Sequence, residues 1–345
     1  MGLWGCVMAR VVQVFTAVFA VAMVLFPAPL NAQAPDFFKG KTVTVYISTP
    51  VGGSYDLYGR LVARHIGRHL PGNPTIIASN MPGAGGITCA NFTYNLAPKD
   101  GTAIAILFQG MGDEQALSTK GVQFDITKFN WIGRVTSNVE MVYTWHSSAT
   151  KTIEDAQSRE TILAAGGGPA TVIYPTLLNK IIGTRFKIIR GYVGAQNANL
   201  AMQRGEVDGA TSSYNTVSTT TDWLTTGKVN VLVQYSPDRH PNLSSVRTIG
   251  ELATTSEDKA LFAFLTQASA IGRSFVVPPD VPKERVEILR AAFDATVKDS
   301  QFLAELQQAR AEYDPLPGES LQQLVAQKTE LSLANIERVQ AARRD

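Results

Sequence analysis

Four glycine-rich loops carry the residues of this sequence that are best suited to holding a ligand. They lie at 50–56, 82–86, 166–168 and 191–194, each after a strand-like run and before a helix-like run. Glycine lets the backbone approach a ligand closely, and a helix start offers free N–H groups and positive partial charge. The four loops therefore predict a cleft that grips a carboxylate or a phosphate from both sides, although glycine also serves simple tight turns.

Nucleotide binding and catalysis have no comparable signal. The stretch Pro82-Gly-Ala-Gly-Gly86 lacks the spacing and the downstream acid of a dinucleotide-binding loop, and neither a Walker-type loop nor a G-x-S-x-G motif occurs. His65 and His69 have the i, i+4 spacing of a metal pair but no third ligand, so we expect both on the solvated, arginine-rich face of one helix. We predict no catalytic residue, no metal and no cofactor.

Asp56 allows two interpretations. A carboxylate in the first turn of a helix stabilises that helix by about 0.3–1 kcal/mol, and together with Ser54 it could cap the helix or order the loop. It would repel an anionic ligand unless that ligand also carried an ammonium or a protonated group. We keep Asp56 among the candidate ligand-binding residues, with loop ordering as the favoured role.

The elements that must position these loops alternate between strands and helices. Strands are predicted at 42–48, 75–78, 102–108, 161–165, 186–189 and 229–235, with helices near 57–70 and 87–96 and before residues 183 and 205. Such alternation predicts an α/β fold with parallel-rich sheets wrapped by helices. The loops then gather at the carboxyl edges of the sheets, where open α/β folds bind ligands. From residue 282 onward the apolar spacing predicts packing helices.

The composition fits an exported globular protein. Of the 345 residues 45% are hydrophobic, and 31 lysine and arginine residues against 29 acidic residues leave a net charge of +2. These values exclude disorder, and the mixed charges lack the basic stripe of a nucleic-acid-binding protein. Arg10 precedes an apolar run at 11–26 that is too short for a membrane span and typical of a secretory signal peptide. We predict a signal peptide over residues 1–32, cut after Ala32.

Four motifs resemble the Bug-type periplasmic solute-binding receptors of tripartite tricarboxylate transporters. The most specific is Asn80-Met-Pro-Gly-Ala-Gly-Gly86, where that family has Asn-Arg-Pro-Gly-Ala-Gly-Gly. The segment 45–56 resembles the family's apolar strand followed by Pro-Pro-Gly-Gly-Gly-Thr-Asp. Ala97-Pro-Lys-Asp-Gly101 precedes an apolar strand, and Gly191-Tyr-Val-Gly194 with the later Gly205-Glu-Val-Asp208 is similar to the family's Tyr-Lys-Gly and Gly-x-Val-Asp.

The resemblance implies a type II periplasmic binding protein whose two α/β domains close around a small organic acid. It places residues 36–143 and 265–345 in domain 1 and residues 144–264 in domain 2. It implies a periplasmic protein that delivers its ligand to the membrane permease subunits of a tripartite transporter and does no chemistry on it. The alternatives are a periplasmic sensor that signals to a sensor kinase and an exported enzyme. A monomer is the default expectation, without a nucleic-acid partner.

The candidate ligand-binding residues follow from the position of the family's loops. Backbone N–H groups of 52–55 and 83–86, with hydroxyls such as those of Ser54, Thr171 and Ser212, are expected to hold the carboxylate. The full set is Pro50, Gly52, Gly53, Ser54, Tyr55, Asp56, Gly83, Ala84, Gly85, Gly86, Gln109, Gly166, Gly167, Thr171, Gly194, Ala195, Gln196, Asn197, Ser212 and Ser213.

The sequence departs from the family pattern in several of these loops. Val51 replaces a proline, Tyr55 replaces the usual small hydroxyl residue, and Val193 replaces the common lysine. Ser212 and Ser213 stand where many members have Asp-Asn. We expect Tyr55 to add an aromatic wall to the pocket. The ligand stays open among di- and tricarboxylates, aromatic acids, amino acids and neutral compounds.

Overall fold

Two mixed β-sheets surrounded by helices make up the computed structural model, which describes residues 37–166, 169–326 and 332–344. Within these residues the strands, in chain order, are β1 (Thr42–Ile47), β2 (Thr75–Asn80), β3 (Ala103–Ile106), β4 (Asn130–Arg134), β5 (Glu140–Trp145), β6 (Thr161–Gly166), β7 (Phe186–Tyr192), β8 (Gly209–Ser213), β9 (Val229–Tyr235), β10 (Ser274–Val277) and β11 (Leu316–Pro317).

The α-helices of the same part of the chain surround both sheets. They are α1 (Ser54–Ile66), α2 (Ile87–Asn95), α3 (Met111–Ala116), α4 (Ile153–Ser158), α5 (Ala170–Ile182), α6 (Gly194–Gln203), α7 (Tyr214–Thr220), α8 (Trp223–Thr226), α9 (Ile249–Leu252), α10 (Ser256–Thr266), α11 (Ala268–Ile271), α12 (Lys283–Thr296), α13 (Ser300–Gln308), α14 (Gly318–Ala326) and α15 (Leu333–Arg344). None of these helices has the length and apolar character needed to cross a membrane. The predicted signal peptide lies outside the described residues.

The first sheet has the strand order β11–β4–β10–β3–β1–β2. β1 pairs in parallel with β2 and β3, which places Val45 beside Ala78 and Ile104. Val43, Val45 and Ile47 of β1 are fully buried, and every residue of β3 is buried, as expected for a strand covered on both faces. β10 runs antiparallel to β3 and to β4.

The second sheet has the strand order β7–β6–β8–β5–β9. β6 is parallel to β7 and β8, whereas β5 runs antiparallel to β8 and β9 and brings Glu140 opposite Ser213 and Tyr235. Neighbouring residues of β5 face opposite sides of the sheet. Val142 accordingly packs in one buried cluster and Tyr143 in another, so both faces of this sheet are covered.

The α/β class with two sheets and C-terminal helices is confirmed, but the sheets contain antiparallel strands that we did not predict. Two strands of one sheet that are joined by a crossover helix run parallel. β5 and β10 each follow a strand of the other sheet, so no crossover helix fixes their direction. The passages between the sheets lie at 135–139 and 236–273. Residues 140–143, which the predicted ranges assign to domain 1, run in the second sheet; the ranges otherwise stay a prediction.

The side of α1 that carries His65 packs against α13, so the expectation of a solvated face was wrong for this histidine. This histidine is only 2% exposed, its Nε2 lies 3.0 Å from Glu305 Oε1, and its ring meets Phe302 edge-on. His69 Nε2 lies 2.9 Å from Asp299 Oδ2. Both histidines therefore serve helix packing. Over residues 37–166, 169–326 and 332–344, no group of three His, Cys, Asp or Glu side chains is placed to hold a metal.

Candidate functional site

A cavity lies between loops of the first sheet and loops of the second. The segment after β1 and the start of α1 bound it on one side, and the segments after β6, β7 and β8 bound it on the other, each at the carboxyl end of its strand. The first residue of β5 and the residue before β10 complete the wall. The lining residues are Thr49, Pro50, Val51, Gly53, Ser54, Tyr55, Phe108, Glu140, Gly166, Ala170, Thr171, Val193, Gly194, Ala195, Gln196, Asn197, Ser212, Ser213, Thr216 and Arg273.

Asp56 orders the loop between β1 and α1. Its Oδ2 accepts the Gly52 N–H at 3.1 Å, and its Oδ1 accepts N–H groups of Arg60 at 2.8 Å and Asn80 at 2.9 Å. Gly52 has φ +96°, a left-handed conformation that favours glycine. With both oxygens engaged and its side chain outside the cavity lining, Asp56 holds the loop in place for its neighbours.

Tyr55 supplies an aromatic wall to the cavity. Its hydroxyl oxygen accepts the Gln109 N–H at 2.9 Å, and its ring lies 5.5 Å from the ring of Phe108. The Arg273 guanidinium lies 4.0 Å from the centroid of the Tyr55 ring, within the range of a cation–π interaction. Burial raises the pKa of the Tyr55 hydroxyl, so this group keeps its proton at neutral pH.

Arg273 is 1% exposed and is the basic side chain among the described lining residues. Its Nη2 donates to Ser54 Oγ at 2.7 Å, Asn138 Oδ1 at 2.8 Å and Ser213 Oγ at 2.9 Å. Its Nε donates to Ser54 Oγ at 3.1 Å and its Nη1 to Gln109 Oε1 at 3.3 Å. One guanidinium therefore joins elements of both sheets. We did not predict this residue, whose one signal in the sequence is its position just before the short run Ser274–Val277.

Glu140, the first residue of β5, is a second ionisable group in the wall and is 6% exposed. Its Oε1 accepts an N–H of Asn138 Nδ2 at 3.1 Å, while Asn138 Oδ1 accepts from Arg273. Burial raises the pKa of the Glu140 carboxyl, and the charge of Arg273 and the Asn138 hydrogen bond only partly oppose that rise. Asn138 thus bridges a buried cation and a buried carboxyl.

Replacing Glu140 by glutamine is expected to raise the melting temperature at pH 8. Because folding raises the pKa of this carboxyl, the folded state loses stability as the pH rises from the unfolded value of 4.5 through the raised one. The amide keeps the shape of the side chain and never ionises, so the gain should vanish toward pH 4. Thermal unfolding followed by circular dichroism from pH 4 to pH 8 measures it, and a gain independent of pH would contradict this account.

Two hydrogen bonds connect the loops of the two sheets beside the cavity. Gln196 Nε2 donates to the Gly52 carbonyl at 2.8 Å, and the hydroxyl oxygens of Ser54 and Thr216 lie 3.0 Å apart. Gln196 and Thr216 belong to helices that follow strands of the second sheet, whereas Gly52 and Ser54 follow β1. The loops of both sheets are therefore in direct contact around the cavity.

The structure brings most of the predicted ligand-binding residues together. Those that line the cavity are Pro50, Gly53, Ser54, Tyr55, Gly166, Thr171, Gly194, Ala195, Gln196, Asn197, Ser212 and Ser213. Gly167 lies outside the described residues.

The remaining predicted residues do not line the cavity; they are Gly52, Asp56, Gln109, Gly83, Ala84, Gly85 and Gly86. The first three act through the hydrogen bonds given above. The loop 83–86 packs against protein instead: a methyl group on Gly85 would lie 2.9 Å from Pro169 Cδ, and one on Gly86 would lie 3.0 Å from Phe108 Cβ. Glycine there permits close packing between segments.

Sequence reasoning missed several lining residues, namely Thr49, Val51, Phe108, Glu140, Ala170, Val193, Thr216 and Arg273. Val51 and Val193 lie inside the predicted loops at 50–56 and 191–194, and Thr49, Phe108 and Ala170 each adjoin a predicted residue. Glu140, Thr216 and Arg273 adjoin none; Glu140 begins β5 and Arg273 directly precedes β10, two strands that were not predicted.

The comparisons with known proteins agree with this architecture, although no family model matches the chain. It is 26% identical over 297 residues, 84% of this chain and 80% of the relative, to a UPF0065 protein in the TAR-I ttuE-ttuC' intergenic region of Agrobacterium vitis. The periplasmic binding protein BugD is similar in structure, with a TM-score of 0.65 and 22% identity over 88% of this chain and 97% of BugD.

Two proteins of Rhodopseudomonas palustris solved with organic acids are also similar in structure. MatC with bound malate has a TM-score of 0.65 and 21% identity over 88% of this chain and 99% of MatC. A second protein, solved with adipate, has a TM-score of 0.63 and 19% identity over 88% of this chain and 97% of its own. At 19–22% identity, these structural similarities show that the chain shares the fold of these proteins.

Proposed function

The chain has the fold of the Bug-type solute-binding receptors that its motifs resemble, and from this premise we propose that it captures a small organic acid in the periplasm. The cavity between the two sheets is the binding site, and its lining residues hold the carboxylate. The protein releases the acid unchanged to the permease subunits of a tripartite tricarboxylate-type transporter. The predicted signal peptide directs export, and the receptor acts as a monomer.

The buried Arg273 carries this proposal. A guanidinium that is 1% exposed in a cavity wall is costly unless it is held by hydrogen bonds and offered an anion. Hydroxyls of Ser54 and Ser213 orient it from the two sides of the cavity. Arginine binds carboxylates through charge-assisted hydrogen bonds that are stronger than neutral ones. MatC was solved with malate and the second Rhodopseudomonas palustris protein with adipate, so proteins of this fold accept carboxylates. We extend that ligand class to this chain.

Closure of the two sheets around the ligand supplies affinity. The Gln196–Gly52 and Ser54–Thr216 contacts join loops of the two sheets, and they are the contacts that would form as the cleft closes. The passages between the sheets at 135–139 and 236–273 are the segments about which the two units would turn. A ligand favours the closed state to the extent that it binds that state more tightly.

Filling the cavity through Gly53 tests the placement of the site. Gly53 lines the cavity with an ordinary φ of −97°, and a Cβ built on it meets nothing within 4 Å. Gly53→Phe should therefore fold normally and weaken binding by roughly tenfold or more, because the ring competes for the space of the ligand. Isothermal titration calorimetry with a mixed panel of mono-, di- and tricarboxylates, including malate and adipate, measures the loss.

Gly250→Phe is the matched control. Gly250 lies in α9 outside the cavity lining, and its nearest neighbour, Thr248 Oγ1, would lie 3.8 Å from an added Cβ. This variant should bind like the wild type. Undiminished affinity in Gly53→Phe would place the binding site elsewhere in the molecule.

A further inference from the structure

Two buried groups of opposite charge type line one cavity without touching each other. Arg273 and Glu140 are 1% and 6% exposed, and Asn138 bridges them with hydrogen bonds of 2.8 and 3.1 Å. Among the described residues, no carboxylate oxygen lies within 4 Å of the Arg273 guanidinium and no basic nitrogen lies within 4 Å of the Glu140 carboxyl. Arg273 and Glu140 therefore place groups of opposite charge type in one wall without a direct ion pair between them.

Both groups keep hydrogen-bonding capacity that the described part of the protein does not use. Arg273 Nη1 carries two N–H groups and has one acceptor, Gln109 Oε1, at 3.3 Å. Glu140 carries two oxygens and has one donor, the Asn138 amide. A ligand in the cavity can thus accept from the guanidinium and donate to the carboxyl.

A carboxyl group is unfavourable in the wall of a site for a simple anion. An ionised carboxyl repels an anionic ligand. A neutral carboxyl does not repel it, but it offers no charge attraction either. The conflict disappears when the ligand itself carries a cation beside its carboxylate. An α-amino acid carries the carboxylate and the ammonium on the same carbon atom, which matches a cation and a carboxyl held in one wall.

The rest of the lining favours an apolar ligand body. Tyr55 and Phe108 supply aromatic rings, and Val51 and Val193 line the cavity while being 67% and 68% exposed. These two valines come from loops of different sheets and present apolar groups where the cavity meets solvent. A side chain that is aromatic or aliphatic would cover them when the ligand is bound.

We propose that the ligand is an α-amino acid with an apolar or aromatic side chain, its carboxylate held by Arg273 and its ammonium held by Glu140. This inference rests on the proposed function and narrows it from organic acids in general to zwitterionic ones. The aromatic and valine side chains contact the amino-acid side chain.

Binding of matched analogues to the purified protein tests the inference. The probes are L-phenylalanine, 3-phenyllactate and 3-phenylpropionate, and L-leucine with its hydroxy and deaminated analogues, so each series changes only the group beside the carboxylate. At least one amino acid should bind at least about tenfold more tightly than its analogues. Glu140→Gln should abolish that ratio, whereas Glu160→Gln, at an exposed position outside the cavity lining, should preserve it.

The outcomes separate the two proposals. Analogues that bind as tightly as the amino acids, or a ratio that survives Glu140→Gln, would overturn the inference. Binding of malate or adipate without binding of either amino acid would overturn it as well and leave the proposed function standing. Failure of every carboxylate to bind would overturn both. The wild-type ratio requires no variant, so the inference stays testable if Glu140→Gln does not fold.

Discussion

Replacing Arg273 by methionine is expected to weaken binding of carboxylates by about 100-fold, or roughly 3 kcal/mol. The substitution removes the cation from the cavity wall and leaves the oxygens of Ser54, Asn138 and Ser213 without the donor that holds them. Arg273→Lys keeps the positive charge, but its ammonium cannot bond several acceptors at once as the planar guanidinium does. Its affinity should therefore fall between those of the methionine variant and the wild type. Isothermal titration calorimetry gives the three dissociation constants.

Arg134 provides the control for losing a buried arginine. It is 7% exposed, donates to the carbonyl and the carboxylate of Asp314, and does not line the cavity. Arg134→Met should lower the melting temperature and leave the dissociation constant within about threefold of the wild type, because no ligand contact changes. Equal losses of affinity in the Arg134 and Arg273 variants would show that destabilisation, and not a lost ligand contact, weakens binding.

Gly272→Ala is expected to destabilise the protein by roughly 3 kcal/mol and to weaken binding with it. Gly272 has φ +52° and ψ −128°, a conformation nearly restricted to glycine. A Cβ there would lie 2.2 Å from the Thr136 carbonyl oxygen and 2.7 Å from Ser137 Cα. The same Thr136 oxygen accepts the backbone N–H of Arg273 at 2.9 Å, so any shift that relieves the clash also moves Arg273.

Gly183→Ala separates steric clash from backbone strain. Gly183 ends α5 with φ +75°, and an added Cβ meets nothing within 4 Å. Only the left-handed backbone opposes alanine there, at a cost of about 1–2 kcal/mol. Urea unfolding of both variants measures the two losses. A loss at Gly272 no larger than that at Gly183 would mean that the segment around Thr136 yields easily and does not fix the position of Arg273.

The local elements of this fold could be predicted because their signals are local. The alternation of Thr42–Ile47 and the apolar run of Val229–Tyr235 identify β1 and β9, and glycines after strands locate the loops of the cavity. The strands that were missed are short, or begin with polar residues such as Asn130 and Glu140. Their pairing is decided by tertiary packing, which local propensity does not encode.

Glu140 and Arg273 escaped prediction for the same physical reason. The antiparallel register of β5 and β8 places Glu140 beside Ser213, and β10 brings Arg273 to Ser213 from sixty residues further along the chain. Contacts between elements so far apart in the chain have no periodicity and no spacing that a single sequence shows. The charges that distinguish this cavity therefore became apparent only in the assembled fold.

The motif that best identifies the fold is not the motif that lines the cavity. Asn80-Met-Pro-Gly-Ala-Gly-Gly86 contributes Asn80, which bonds Asp56, and glycines that allow close approach to Pro169 and Phe108. Its residues order the first loop and allow close packing beside the cavity. A motif can thus be specific for an architecture because it solves a packing problem, while the cavity itself is lined by less regular positions.

The most direct test of the central claim is a thermal-shift screen of the purified protein against about a hundred small carboxylates, amino acids and neutral or cationic controls. A ligand that binds only the folded state stabilises it by about 2.7 kcal/mol at one hundred times its dissociation constant. We predict a clear rise in melting temperature with at least one carboxylate-bearing compound, and loss of that rise in Arg273→Met. Stabilisation by neutral or cationic compounds alone would contradict the assignment of this cavity as a carboxylate site.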